Sequence, residues 1–278
     1  MLLYKRRADR SNALLQHSPF VPLFVGGAPR SGTTILHALI CTSEKTNDFI
    51  AECSYFTAFL QPLATGLNVF DVHTRHYFSS REELIAHHGD VLRNELKRIW
   101  DRTGKPEVLA LKDPMLTQFF AIAANALPEA RFVLSVRDPR DTILSRIEVA
   151  QRQTPGRQIE RTMVAEFCSE YVRLYRSVVD NRACFGDRLC IVKYEDLVVG
   201  KADGLLRDFG CGTIRDDKVR TKESTPQMFI ADEWSTDLHG KRPSASSVAR
   251  FKTSLQPEVQ ELILRECGDV ARQLGIDC

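Results

Sequence analysis

The sequence predicts an α/β fold: a single domain built on a P-loop-type parallel sheet with helices on both faces. Three observations carry that expectation. Short apolar runs alternate with stretches of helical period. The first run, from Leu23, feeds a glycine-bounded loop and then a helix start. Finally, Arg30, Lys112, Arg137 and Tyr194 each sit just past such a run. A parallel sheet gathers four such positions at its carboxyl edge, where ligands of open α/β sheets bind.

The elements follow in order. Leu23-Phe24-Val25 is the first strand, and Thr33 to Cys41 reads as a helix with Ile35, Leu36, Leu39 and Ile40 on one face. The apolar stretch Phe49 to Phe56, interrupted by Glu52, leads into a helix toward Leu63. Residues 65–79 read as a loop containing His73 and His76. Ser80-Arg81-Glu82-Glu83 is a capping box, and Leu84, Ile85, Val91, Leu92, Leu96, Ile99 and Trp100 give the helix behind it a buried stripe. Val108 to Leu111 is the second strand, ending at Lys112-Asp113-Pro114 and followed by a helix from Met115 to Leu127. Phe132 to Val136 is the third strand, and after Arg137 the pair Asp138-Pro139 caps and opens another helix. A long helix over 158–182 buries Met163, Val164, Phe167, Cys168, Tyr171, Tyr175, Val178 and Val179. Leu189 to Val192 is the fourth strand, residues 211–245 have no clear period, and a last helix starts at Pro257.

With 278 residues the chain is long enough for one large core, and 43% hydrophobic with 27% charged residues is ordinary for a globular protein. A net charge of +2 is too small to make nucleic acid or a membrane surface the main partner, so any basic site is local. The eight cysteines include no C-x-x-C pair, which points to buried or reduced thiols rather than a disulfide framework or a zinc site. Residues 1–20 read as a basic tail carrying Lys5, Arg6, Arg7 and Arg10, and residues 21–278 as the domain. No signal-peptide core and no run of ~20 apolar residues is present, which predicts a cytoplasmic location.

The loop Gly27-Ala28-Pro29-Arg30-Ser31-Gly32-Thr33-Thr34 has the glycine spacing of a phosphate cradle, in which loop N–H groups and the helix start converge on one anion. The position after Gly32 that would be lysine in a nucleotide triphosphatase is Thr33, and Arg30 is the available cation. That loop suits an anion without a γ-phosphate, and a phosphosulfate is such an anion.

These motifs together resemble the sulfotransferases that use 3′-phosphoadenosine 5′-phosphosulfate, with the tyrosylprotein and carbohydrate branches the most similar. The resemblance covers most of residues 22–275. It implies that Arg30, Ser31, Gly32, Thr33 and Thr34 form the 5′-phosphosulfate loop. Arg137, with Ser145 eight residues on, is similar to the 3′-phosphate motif, and Lys193-Tyr194-Glu195-Asp196-Leu197 to the segment whose tyrosine meets the adenine end. Ser235-Thr236-Asp237 with Lys241-Arg242-Pro243 resembles the late basic loop over the nucleotide, and Glu52 and Lys112 fall where that branch has its catalytic acid and lysine. The chain departs from the cytosolic small-molecule enzymes in carrying Arg30 where they have lysine and in lacking their catalytic histidine.

The resemblance implies a soluble transferase without a metal, moving a sulfuryl group to a hydroxyl of a carbohydrate, peptide tyrosine or metabolite, with a homodimer left open. Such transfer needs a base, an in-line approach and cations at the leaving phosphate. Glu52, flanked by Ile50, Ala51, Cys53 and Tyr55, is expected to be partly desolvated and to act as the base, ahead of His37, His73 and His76. Arg30 and Lys112 would meet the sulfuryl and bridging oxygens. Local pairing of Arg137 with Asp138 or Asp141, edge packing of Tyr194, and a solvated turn at Lys241 and Arg242 are the plainer readings. The rival function is a P-loop kinase of a small metabolite, which needs a metal-binding acid such as Asp113 or Asp138. A non-enzymatic nucleotide-binding domain would leave Glu52 and Lys112 without a role.

Overall fold

A computed structural model describes residues 18–215 and 244–278. Among these residues four strands, β1 (Val21–Gly27), β2 (Val108–Lys112), β3 (Arg131–Val136) and β4 (Leu189–Lys193), form one sheet in the order β2-β1-β3-β4. All pairings are parallel: Val25 lies opposite Lys112, Gly27 opposite Ser135, and Val136 opposite Lys193. Because the strands run the same way, the loop after β1, Lys112, Arg137 and Tyr194 come to one edge.

Alternation along the strands explains why both faces are covered. Phe24, Leu109, Leu111, Phe132 and Leu134 point to one core, shared with Phe56, Leu60, Leu92, Phe120, Tyr171, Tyr175 and Ile263. Leu23, Val25, Val108, Ala110, Val133, Cys190 and Val192 point to the other, against Leu36, Leu39, Ile40, Leu197 and Leu206. The helices α1 (Thr33–Ile40), α2 (Ser54–Asn68), α3 (Arg81–Arg102), α4 (Phe120–Ala126), α5 (Pro139–Gln153), α6 (Arg161–Val179) and α7 (Pro257–Gln273) cover the two faces, and the single turns Tyr194–Leu197 and Asp203–Leu206 supply Leu197 and Leu206. No helix among the described residues is long and apolar enough to cross a membrane.

Several boundaries differ from the sequence reading. α2 runs past Pro62 to Asn68, so residues 65–68 are helical and only the remainder to 79 is irregular, with a short 3₁₀ turn Thr74–His76. Pro62 is tolerated because the carbonyl it leaves unpaired, on Ala58, is at an exposed position where water can bond it. The segment after β2 begins as a 3₁₀ helix, Pro114–Phe119, before α4. There Asp113 caps the N–H of Met115 at 2.9 Å. α3 starts as its capping box requires, with Ser80 accepting from the N–H of Glu83 at 3.1 Å. The return bond of Glu83 goes to the N–H of Ser79, at 2.8 Å. All eight cysteines are free thiols, and Cys168, Cys190, Cys211 and Cys267 are buried.

Candidate active site

The glycine loop between β1 and α1 is held from below by side chains of other elements. The N–H of Gly27 donates to Thr117 Oγ1 at 2.6 Å, and that of Ala28 donates to the Tyr175 hydroxyl at 3.1 Å. The Tyr175 hydroxyl in turn donates to the carbonyl of Ser135 at 2.7 Å, and burial pushes its phenol up to about 12. Ser31, fully buried, donates to Ser135 O at 3.3 Å and accepts at its carbonyl from Ser135 Oγ at 2.7 Å. The N–H of Ser31 closes on Ala28 O at 3.0 Å.

The first part of the loop is therefore spent on its own support. The N–H groups of Gly32, Thr33 and Thr34 donate to no described residue. They open α1, so the helix dipole adds its positive end to theirs, and together they are suited to one anion. Two left-handed residues aim them: Arg30 with φ 73° and Gly32 with φ 97°. At Gly32 only glycine fits, because a Cβ would stand 2.4 Å from Cδ2 of Tyr194.

Cations stand at three strand ends. Lys112, at the end of β2, is 3% exposed and donates to Glu52 at 2.7 Å and to Thr34 Oγ1 at 3.3 Å. Arg30 reaches Ser145 of α5, its Nε donating to Oγ at 3.2 Å. Arg137, 5% exposed at the end of β3, donates to the carbonyl of Arg30 at 3.1 Å and to that of Ser247. Its guanidinium stacks on Tyr194, 4.4 Å from the ring centroid, and its buried Nε has no partner among the described residues. The Tyr194 hydroxyl meets Ser247 Oγ at 2.5 Å.

Glu52, Arg30, Ser31, Gly32, Thr33, Thr34, Lys112, Arg137, Ser145 and Tyr194 are thus gathered at one sheet edge, as expected. Ser235, Lys241 and Arg242 lie outside the described residues. One environment differs from expectation. Glu52 is not enclosed by its apolar neighbours; its side chain is 49% exposed and it is ion-paired to Lys112. The desolvation argument for its basicity therefore does not hold, although an exposed carboxylate is open to an incoming hydroxyl. Among the rival bases, His37 is removed. It is fully buried against Ala110 O (3.1 Å), and burial, with a smaller push from Lys112, holds it down at about 3. His73, which precedes the 3₁₀ turn, and His76, which ends it, are both exposed.

The two acids a kinase would need are both committed. Asp113 accepts from Thr57 at 2.7 Å besides capping Met115, and Asp138 holds Arg140 at 2.6 Å. A cavity of about 220 Å³ beside this edge has four acids in its lining, Asp138, Asp141, Glu195 and Asp277, and one base, Lys193, so its lining is a poor match for phosphate.

Sequence reasoning missed Thr117, Ser135 and Ser247, and took Tyr171 and Tyr175 only as core. The tyrosines carried a signal: a fully buried phenol requires a hydrogen-bond partner that phenylalanine would not. Tyr171 meets that need by donating to Arg137 O at 3.1 Å.

A model of the sulfotransferase family matches residues 22–205. Among solved structures, the chain is similar to the sulfotransferase domain of the Synechococcus PCC 7002 olefin synthase, with a TM-score of 0.57 at 16% identity, covering 94% of this chain and 97% of that one. It is also similar to the sulfotransferase domain from the curacin biosynthetic pathway, with a TM-score of 0.57 at 13% identity over 91% of this chain and 98% of that one. No curated protein sequence matches.

Proposed function

Because the chain belongs to the sulfotransferase family, we propose that it moves the sulfuryl group of 3′-phosphoadenosine 5′-phosphosulfate to a hydroxyl of a carbohydrate, peptide tyrosine or metabolite, with Glu52 as base and no metal. The observation that carries this reading is the Lys112–Glu52 pair, 2.7 Å long, set beside Thr34 at the mouth of the glycine loop. A carboxylate paired to a buried ammonium beside the loop supports the assignment of Glu52 as base and Lys112 as the leaving-group cation.

The residues present fit such a nucleotide. Three N–H groups at Gly32 to Thr34 that donate to no described residue suit the 5′-phosphate, and the buried Nε of Arg137, without a partner among the described residues, suits a further anion, the 3′-phosphate, with Ser145, which accepts from Arg30, proposed as its hydroxyl contact. The donor supplies the sulfuryl group, whose bond to the 5′-phosphate oxygen breaks as the acceptor oxygen bonds sulfur. Glu52 takes the acceptor proton through the carboxylate it exposes to solvent. Lys112 and Arg30 hold positive charge where the leaving oxygen gains negative charge, which stabilises the transition state more than the ground state. Burial of Lys112 strengthens that effect by excluding water from the ammonium. Tyr194 closes the adenine side.

Thermal shift distinguishes this reading from a kinase. Adenosine 3′,5′-bisphosphate should stabilise the chain by several degrees and ATP with magnesium should do little. Stabilisation by ATP with magnesium alone would count against the reading.

A further inference from the structure

Asp141 lies four residues after Arg137, one turn into α5, and is 1% exposed. A buried carboxylate needs compensation. It accepts from the backbone N–H of Ala249 at 2.6 Å and of Phe251 at 3.0 Å, and the Arg137 guanidinium stands 3.9 Å away. The turn it captures is otherwise unfavourable: Ala249 has φ 58°, a left-handed backbone that a non-glycine residue keeps only when its surroundings enforce it. The same turn presents Ser247, whose carbonyl takes a bond from Arg137 and whose hydroxyl meets Tyr194. Arg140 lies over the ring of Phe251, 3.9 Å from its centroid, and Arg250 pairs with Glu148. One carboxylate thus stands between Arg137 and the turn that braces it.

We infer that Asp141 is a positioning residue for recognition of the nucleotide's 3′ end. It fixes Arg137 directly and fixes Ser247 through the 247–251 turn, so selectivity for a 3′-phosphate depends on a side chain that does not touch the ligand. The inference rests on the reading of Arg137 as the 3′-phosphate cation.

Calorimetric dissociation constants for adenosine 3′,5′-bisphosphate and adenosine 5′-phosphate test it in wild-type, Asp141→Asn and Arg137→Ala protein. The ratio of the two constants measures 3′-phosphate selectivity. Arg137→Ala should abolish most of that ratio. Asp141→Asn, with its volume unchanged, should lower it about threefold to tenfold while binding of the 5′-phosphate stays within about twofold. An unchanged ratio in Asp141→Asn, or equal losses for both ligands, overturns the positioning role. An unchanged ratio in Arg137→Ala removes the 3′-site reading itself and the inference with it. Should Asp141→Asn not fold, hydrogen exchange on the wild-type chain decides. The amides of Ala249 and Phe251 should be protected without ligand and slowed further by the bisphosphate but not by the 5′-phosphate. Fast exchange without ligand, or an equal response to both nucleotides, overturns it.

Discussion

Tyr175→Phe is the cleanest probe of how the glycine loop is held. The ring is fully buried, and phenylalanine keeps its packing and removes only an oxygen. That oxygen accepts from Ala28 N–H at 3.1 Å and donates to Ser135 O at 2.7 Å. Ser135 O keeps a second, longer bond from Ser31 Oγ at 3.3 Å, so the main loss is the orphaned N–H of Ala28. A buried donor without a partner costs about 1–3 kcal/mol, and the phenylalanine recovers a little by burying no hydroxyl. The expected net loss is about 2 kcal/mol, read as a lower urea midpoint at constant slope and a melting point about 4–8 °C lower. Since Ala28 fixes the entry to the loop, bisphosphate affinity should fall about threefold to tenfold as well. Full retention of both stability and affinity would refute the claim that Tyr175 supports the loop.

Three further perturbations have defined outcomes. Gly32→Ala places a Cβ 2.4 Å from the Tyr194 ring at a φ of 97°, so bisphosphate affinity should drop at least about tenfold by calorimetry; near-normal binding would show that the loop adjusts freely. His37, usually near 6.5, titrates at about 3 when folded because burial favours its neutral form. The folded state therefore binds fewer protons than the unfolded one, and the stability from this group is complete above pH 6.5 and lost as pH falls toward 3, with ~2 kcal/mol gone by pH 5. Denaturant titrations at several pH values should show that slope flattened in His37→Gln, and an unchanged slope contradicts it. Glu52→Gln should cut turnover ~100- to 10,000-fold with nucleotide affinity nearly unchanged, and an acidic phenol acceptor should partly rescue it but should not rescue Lys112→Ala. Near-normal turnover of Glu52→Gln on a weakly acidic hydroxyl moves the base elsewhere.

What was legible in the sequence was local in origin. The glycine positions, the capping box at Ser80 and the cap at Asp138 act within a few residues of themselves, and they marked their elements correctly. Parallel strands then made the strand-end residues meet without any knowledge of the strand order. The rest depended on distant partners. Glu52 was misjudged because its neighbours in sequence are apolar while its neighbour in space is Lys112, sixty residues on. Thr117 and Ser247 reach the site across 90 and 110 residues, to Gly27 and Arg137, and nothing in their own segments announces it. The helix read toward Leu63 continues to Asn68, a last turn that carries no start or stop signal of its own in the sequence.

Direct transfer decides whether these residues do the chemistry. The purified chain is incubated with sulfur-labelled 3′-phosphoadenosine 5′-phosphosulfate and a cell extract, and products are identified by mass. Label should appear in a hydroxyl-bearing product, with one adenosine 3′,5′-bisphosphate released per transfer, and should be lost in Glu52→Gln and Lys112→Ala. No labelled product beyond that formed by extract alone, or labelling by both variants at the wild-type level, would contradict sulfuryl transfer at this site.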